Sequence, residues 1–143
     1  MKSVSQKAAS IFRAAITRIP EGQTSVKIDK GDQEHGGLVM ALHVQLIGEN
    51  KYGKIYSFAH YYEQNGDLMR DPDITMLEAA TGQGLFPLSY RQDGLGMDRE
   101  YVVFTETGWK IFKKMQADLV SFCNGWAKNL HEQQDLWPVK VIR

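Results

Sequence analysis

The stretch HYYEQNGDLMRDPDI, residues 60–74, carries the densest group of chemically capable side chains in the sequence. His60, Asp71 and Asp73 combine an imidazole with two carboxylates, which are ligand types for divalent metals and the usual groups of general acid–base catalysis. Their spacing matches no diagnostic metal-binding motif, even with His43 added as a further ligand. These residues define a weak candidate metal site and an alternative hypothesis, a metal-dependent hydrolase or nuclease.

The Asn-Gly dipeptide at 65–66 must position these side chains. It is the strongest short-range signal of a β-hairpin with a two-residue loop, because both central residues of a type I′ turn need positive φ. The turn fixes the register, so that Tyr61 faces Arg70 and His60 faces Asp71. Tyr61 with Arg70 is an aromatic–guanidinium pair, whereas His60 with Asp71 is the pair best suited to orient a base or a metal ligand.

Pro72 directly follows this pair. Because proline cannot donate a ladder hydrogen bond, we expect a bulge, a strand end or a sheet edge at residues 71–73. Such a break could aim Asp71 and Asp73 outward together. A His–Asp pair across a hairpin is more often only a polar cross-strand pair, so the sequence favours a structural role for His60 and predicts no catalytic residue.

An aromatic row alternates along the strand that precedes the turn. Its side chains could stack the bases of single-stranded nucleic acid, anchor a protein partner or face the core. Few lysines or arginines interleave with the row, so weak nucleic-acid binding is possible but not favoured. A protein partner is the preferred alternative. The candidate partner-binding residues are Tyr56, Phe58, His60, Tyr61, Tyr62, Arg70, Asp71, Arg91 and Asp93.

Composition narrows the class of protein. Lys plus Arg and Asp plus Glu each total 17, so the chain lacks the positive field with which nucleic-acid binders collect phosphates. Cys123 is the single cysteine, which precludes an internal disulfide and indicates a reducing compartment. No signal-peptide pattern and no membrane-length apolar stretch is present. We expect a cytoplasmic protein with no membrane partner, organised as one domain over residues 1–143.

No cofactor is predicted. The glycine-rich segments GQGLF (82–86) and DGLGMD (93–98) lack the spacing of a dinucleotide- or phosphate-binding loop, so they indicate turns. Cys123 lies beside the apolar stripe of a predicted helix, where we expect an inert buried thiol.

Helical spacing of apolar residues appears at both ends of the chain. The N-terminal helix has Ser3 or Ser5 as its cap and ends before Pro20. The C-terminal helix is predicted to begin at the cap Thr107. Its expected core row is Trp109, Phe112, Met115, Leu119, Phe122, Trp126 and Leu130.

The middle of the chain alternates with the period of β-strands. Because tight turns separate consecutive strands, the sequence predicts an α+β fold: an antiparallel sheet of about five strands, with the N-terminal helix and the long C-terminal helix packed on one face. A loop is expected at 30–37 and an edge strand or extended tail at 136–143. The predicted strands are 24–29, 38–48, 54–64, one segment after Gly66, 84–92 and 98–104.

Two strings, HYYEQNGDLMRDPDI and FPLSYRQDGLGMDRE (86–100), resemble a family of domains of unknown function in small proteins of bacterial plasmids, conjugative elements and phages. The resemblance extends from the first helix to about Glu100. It implies a mobile-element or phage setting and no established activity. Small proteins of that setting include inhibitors of bacterial defence systems of the anti-CRISPR or antirestriction type. We therefore expect a non-enzymatic binding protein that acts through a host- or element-encoded protein.

Overall fold

The computed structural model describes residues 1–30 and 39–136, and these form an α+β fold, as the sequence predicts. The helices are α1 (Gln6–Ile16) and α2 (Lys113–Gln134), and a 3₁₀ turn covers Asp93–Leu95. The strands are β1 (Ser25–Ile28), β2 (Leu42–Asn50), β3 (Gly53–Gln64), β4 (Asp67–Ala79), β5 (Leu85–Gln92), β6 (Met97–Glu100), β7 (Val102–Thr105) and β8 (Gly108–Ile111).

The predicted N-terminal helix is confirmed, and its cap is Ser5. The Ser5 hydroxyl accepts a hydrogen bond from the Ala8 amide at 3.1 Å, which satisfies one of the free donors of the first turn. The helix ends earlier than Pro20, at Ile16. Ile11 and Phe12 are buried on the same side as Ala8 and Ala15, as their spacing predicts.

Six strands form one antiparallel meander in the order β1-β2-β3-β4-β5-β6. The β3–β4 hairpin has the predicted register, with Gln64 paired to Asp67 and Tyr61 paired to Arg70. Asn65 and Gly66 both have positive φ, 52° and 83°, as a two-residue type I′ loop requires. The Asn-Gly signal is therefore confirmed.

A β-bulge interrupts this hairpin where Pro72 predicted a break. Tyr61 pairs with Arg70 and Ala59 pairs with Asp73, so Asp71 and Pro72 together oppose His60. Two residues against one shift the alternation of β4 by one position. Asp71 thus lies on the face of the sheet that carries His60, and Asp73 lies on the opposite face.

Both helices pack on one side of the sheet, which we call the covered face. Phe12 of α1 meets Phe58 of β3 edge-on with 5.0 Å between ring centroids, and Trp126 of α2 lies 6.1 Å from Phe12. Fully burying aromatic side chains of this size stabilises a fold by about 2–3 kcal/mol each. The core also buries Leu42, Val44, Ile74, Met76, Leu85, Leu119 and Leu130.

The second side of the sheet, which we call the open face, carries no helix of the described ranges. One end of it is packed by a separate two-stranded sheet, β7–β8. Val102 of that sheet is buried with Leu77 and Leu88, and Phe104 packs on the same cluster. The other end of the open face holds mostly polar side chains.

The predicted start of the C-terminal helix is wrong. Residues 108–111 form β8, and α2 begins only at Lys113. Phe104 pairs with Trp109 across a tight turn, so period-2 pairing with β7 overrides the helical spacing of this segment. Of the row expected to be buried, only Leu119, Trp126 and Leu130 are buried. Its exposed members are Trp109, Phe112, Met115 and Phe122.

Two predicted segments lie wholly or mostly outside the described residues. They are the loop at 30–37 and the tail at 136–143. In the latter, Leu136 is described and is buried.

Two glycines give a matched test of this backbone. At Gly53, φ is +150° and an added Cβ would lie 1.9 Å from the Glu78 carbonyl oxygen. Gly53→Ala should therefore lower the free energy of unfolding by at least about 3 kcal/mol. At Gly125, within α2, an added Cβ meets nothing within 4 Å. Gly125→Ala should raise that free energy by about 0.5–1 kcal/mol. Urea unfolding of both variants measures the two effects, and a tolerated Gly53→Ala would contradict the strand pairing.

Candidate functional site

The candidate metal ligands of the hairpin are divided between the two faces of the sheet. His60 and Asp71 lie on the covered face, where the Gln92 side-chain amide donates to Asp71 at 2.9 Å. Asp73 lies on the open face, where the Ser57 hydroxyl donates to its Oδ1 at 2.6 Å. The expectation that the bulge aims Asp71 and Asp73 outward together is wrong. Residues 1–30 and 39–136 contain no group of three or more His, Cys, Asp or Glu side chains arranged to hold a metal ion.

His60 occupies an apolar environment beneath α2. Its side chain is 5% exposed, and its ring meets Trp126 edge-on at 5.5 Å. Burial lowers the pKa of His60 to about 4, although the nearby Asp71 carboxylate opposes that effect. Among the residues that the structure describes, Nε2 has no hydrogen-bond partner. A neutral imidazole with so low a pKa and no access for a substrate is packed as a core group.

The aromatic row expected to stack bases is mostly in the core. Tyr56 and Phe58 are buried against the helices, like His60, so none of these three side chains is available to a partner in this conformation. Tyr62 is half-buried near the 3₁₀ turn, where its hydroxyl leaves too little room for a side chain at Gly94. Cys123 is buried as expected, and burial raises the pKa of its thiol.

The open face has a floor of small side chains, which we call the polar trough. Ser57, Thr75 and Ser89 are cross-strand neighbours on β3, β4 and β5, and Ala59 pairs with Asp73. All five are buried although no described helix covers them. Thr75 and Ser89 also line a hollow between this floor and β7–β8. The Thr75 and Ser89 hydroxyls satisfy one another.

Aromatic side chains form one rim of the polar trough. His43 on β2 meets Tyr61 on β3 edge-on, with 4.9 Å between ring centroids. Burial, assisted by the positive charge of Lys27, lowers the pKa of His43, so this imidazole is neutral at pH 7. Burial and the neighbouring Asp73 carboxylate raise the pKa of Tyr61.

Two arginines border the trough near the β3–β4 hairpin and β6. Arg70 binds the Asp93 carboxylate through two nitrogens at 2.9 and 3.0 Å, and its backbone amide donates to the same group at 2.8 Å. These hydrogen bonds hold the pKa of Asp93 below its usual range. Arg91 pairs with Asp98 at 3.0 Å. The fold therefore brings Tyr61, Arg70 and Arg91 to one face, with Asp93 tied to them.

Sequence reasoning missed the floor of this site. Ser57 alternates with the buried Tyr56 and Phe58, so the period of β3 alone could have placed it opposite the core. No comparable signal exists for Ser89, because a second register shift, between Thr75 and Met76, changes how β5 aligns with β4.

Two other hollows border the sheet. A cleft of about 300 Å³ continues the trough toward β7–β8, between Ser89, Arg91 and Phe104. A groove of about 240 Å³ lies between α2 and β5–β6 and includes Tyr90, Met97 and Met115. Only the cleft adjoins the candidate residues named from the sequence.

Residues 11–136 match the model of a family described as a domain of unknown function, DUF6908. The chain belongs to this family. The expected membership of a family of domains of unknown function is confirmed, and the match extends past Glu100 to include α2. No curated protein and no solved structure matches the chain.

No helix of the described ranges combines the length and the apolar character that crossing a bilayer requires.

The buried imidazole makes stability depend on pH in a defined window. The pKa of His60 is about 4 in the folded chain and 6.5 in the unfolded chain, so the unfolded chain binds more protons between these values. Stability should fall by about 3 kcal/mol as pH falls from 6.5 to 4, with no contribution from His60 above that range.

The variant His60→Leu isolates this effect. The carboxylates titrate in both proteins, so the difference between the two pH profiles of unfolding free energy reports on the imidazole alone. His43→Leu, at a half-buried site, should change the profile much less. Parallel profiles for wild type and His60→Leu would show that the imidazole is not buried as described.

Proposed function

We propose that this chain is a non-enzymatic binding protein that acts through a protein partner docked on the open face of the sheet. The observation that carries the proposal is the polar trough with its rim of Tyr61, His43 and Arg91. Tyr and Arg are the residue types most enriched at the energetic centres of protein interfaces. Here they lie on adjacent, paired strands of one sheet, so a partner could contact them without reordering the backbone.

A hydrolase centred on His60, Asp71 and Asp73 has less support. Asp73 is on the other face of the sheet from His60, and the imidazole is too weak a base and too deeply buried to take a proton from substrate. Base stacking on Tyr56 and Phe58 also has less support, because both side chains are buried and a nucleic-acid base cannot reach them.

We further propose the setting implied by the two motif strings, a mobile element or phage. In that setting the partner is a host- or element-encoded protein in the cytoplasm, and the effect is inhibition of a bacterial defence system of the anti-CRISPR or antirestriction type. The single buried Cys123 is consistent with a reducing compartment.

Site-specific photo-crosslinking tests the docking face without disturbing it. Gln45 is exposed beside Ser57 on the open face, and Lys128 is exposed on α2. A photoreactive residue at position 45 of the full chain should capture one discrete protein in cells of the source organism. The same residue at position 128 should not capture that protein.

Substitutions then check that the captured protein depends on the trough. Tyr61→Ala should reduce recovery of that protein about tenfold or more, as expected for the loss of a central aromatic anchor. Met115→Ala, in the groove beside α2, is the matched control and should leave recovery unchanged. Capture from position 128 alone, no capture from either position, or loss with Met115→Ala but not with Tyr61→Ala would each overturn the proposal.

A further inference from the structure

Asp73 is a buried acid that forms no ion pair with the residues that the structure describes. Its side chain is on the floor of the trough and the residue is only 8% exposed. In the part of the chain that the structure describes, it makes one side-chain hydrogen bond, from Ser57 to Oδ1, and no ion pair within 4.0 Å. A carboxylate removed from water is costly unless charge or further hydrogen bonds compensate it.

The neighbouring cations are already committed to other acids. Arg91 is directly across the sheet from Asp73, yet its Nε donates to Asp98 at 3.0 Å. Arg70 is held by both oxygens of Asp93. Each guanidinium is thus hydrogen-bonded to another acid, and neither forms an ion pair with Asp73 within 4.0 Å in the described residues, although the charges of Arg70 and Asp73 still attract one another.

Aromatic groups stand beside this carboxylate. Tyr61 lies two residues along β3 from Ala59, the partner of Asp73, so both side chains are on the open face, and His43 packs against the Tyr61 ring. A ring face is electronegative and attracts cations, and an uncharged His43 adds no opposing positive charge. A carboxylate under an aromatic wall is a combination that selects a cationic side chain with an aliphatic stem.

From this arrangement we infer that the polar trough is a receptor for a lysine or arginine side chain presented by the protein partner. The ammonium or guanidinium group donates hydrogen bonds to the Oδ2 of Asp73, and the aliphatic stem packs against Tyr61. This inference rests on the proposed function and adds the chemistry of the partner. Phosphorylated or nucleic-acid ligands are disfavoured, because Asp73 repels their charge.

The direct test uses small cationic probes and backbone amide NMR spectra of the full chain at low ionic strength. N-acetyl-arginine amide and N-acetyl-lysine amide are titrated against the wild type, with N-acetyl-citrulline amide as the uncharged analogue. We expect saturable shifts at Ser57, Tyr61 and Asp73 with at least one cationic probe, and at least tenfold weaker binding of the citrulline probe.

Two variants with the same change in charge complete the test. Asp73→Asn keeps an oxygen that can accept the hydrogen bond from Ser57. This variant should bind the cationic probe at least tenfold more weakly. Asp118→Asn removes an exposed acid on α2 and should not change binding. If Asp73→Asn fails to fold, Tyr61→Leu substitutes for it and should weaken binding several-fold. No saturable shift in the wild type, equal binding of citrulline, or unchanged binding in Asp73→Asn would overturn the inference.

The two proposals fail in distinguishable ways. Suppose that the crosslinker at position 45 captures a protein, and that the Asp73→Asn variant binds this protein as well as the wild type does. The open face is then supported as the docking surface, and the inference that it receives a cationic side chain is wrong. If no protein is captured from the open face, the proposed function itself is wrong, whatever the probes do.

Discussion

The bulge opposite His60 is the constraint on which the arrangement of this chain depends. Successive side chains of a strand point to opposite faces of the sheet. One additional residue in β4 therefore decides which of its later side chains enter the core. Before the bulge, Asp71 shares a face with His60. After it, Ile74 and Met76 enter the core and Asp73 faces outward. Without the additional residue, the apolar part of β4 would turn away from the helices.

This division explains why the polar residues of the hairpin form no group of metal ligands in the described residues. His60 and Asp71 belong to the covered face, where the imidazole is neutral and packs on Trp126. The side chains left on the open face are small and polar at the centre and larger at the rim. The open face carries aromatic groups and a carboxylate, Asp73, that forms no ion pair in the described residues, and we propose that these groups serve recognition.

Local signals were sufficient for much of the fold. Asn65-Gly66 fixed the hairpin register because its turn type demands positive φ, whereas the alternation of β3 put Tyr56 and Phe58 on one face without showing that this face is the core. The face of the sheet on which each side chain of β4 lies was harder to predict, because a bulge depends on how the strands pair. Pro72 indicated a break in β4 but did not indicate on which face Asp73 would lie. The β7–β8 hairpin was missed because Trp109 and Phe112 also fit a helical spacing that only the pairing of Phe104 with Trp109 overrules.

One face of the six-stranded sheet is core, and we propose that the other is available to a partner. Hydroxyl-radical footprinting of the full-length chain, read by mass spectrometry, measures this directly. The account predicts that Tyr61 and His43 are oxidised readily while Tyr56 and Phe58, on the same or the adjacent strand, are protected. Protection of Tyr61 equal to that of Tyr56 would contradict it.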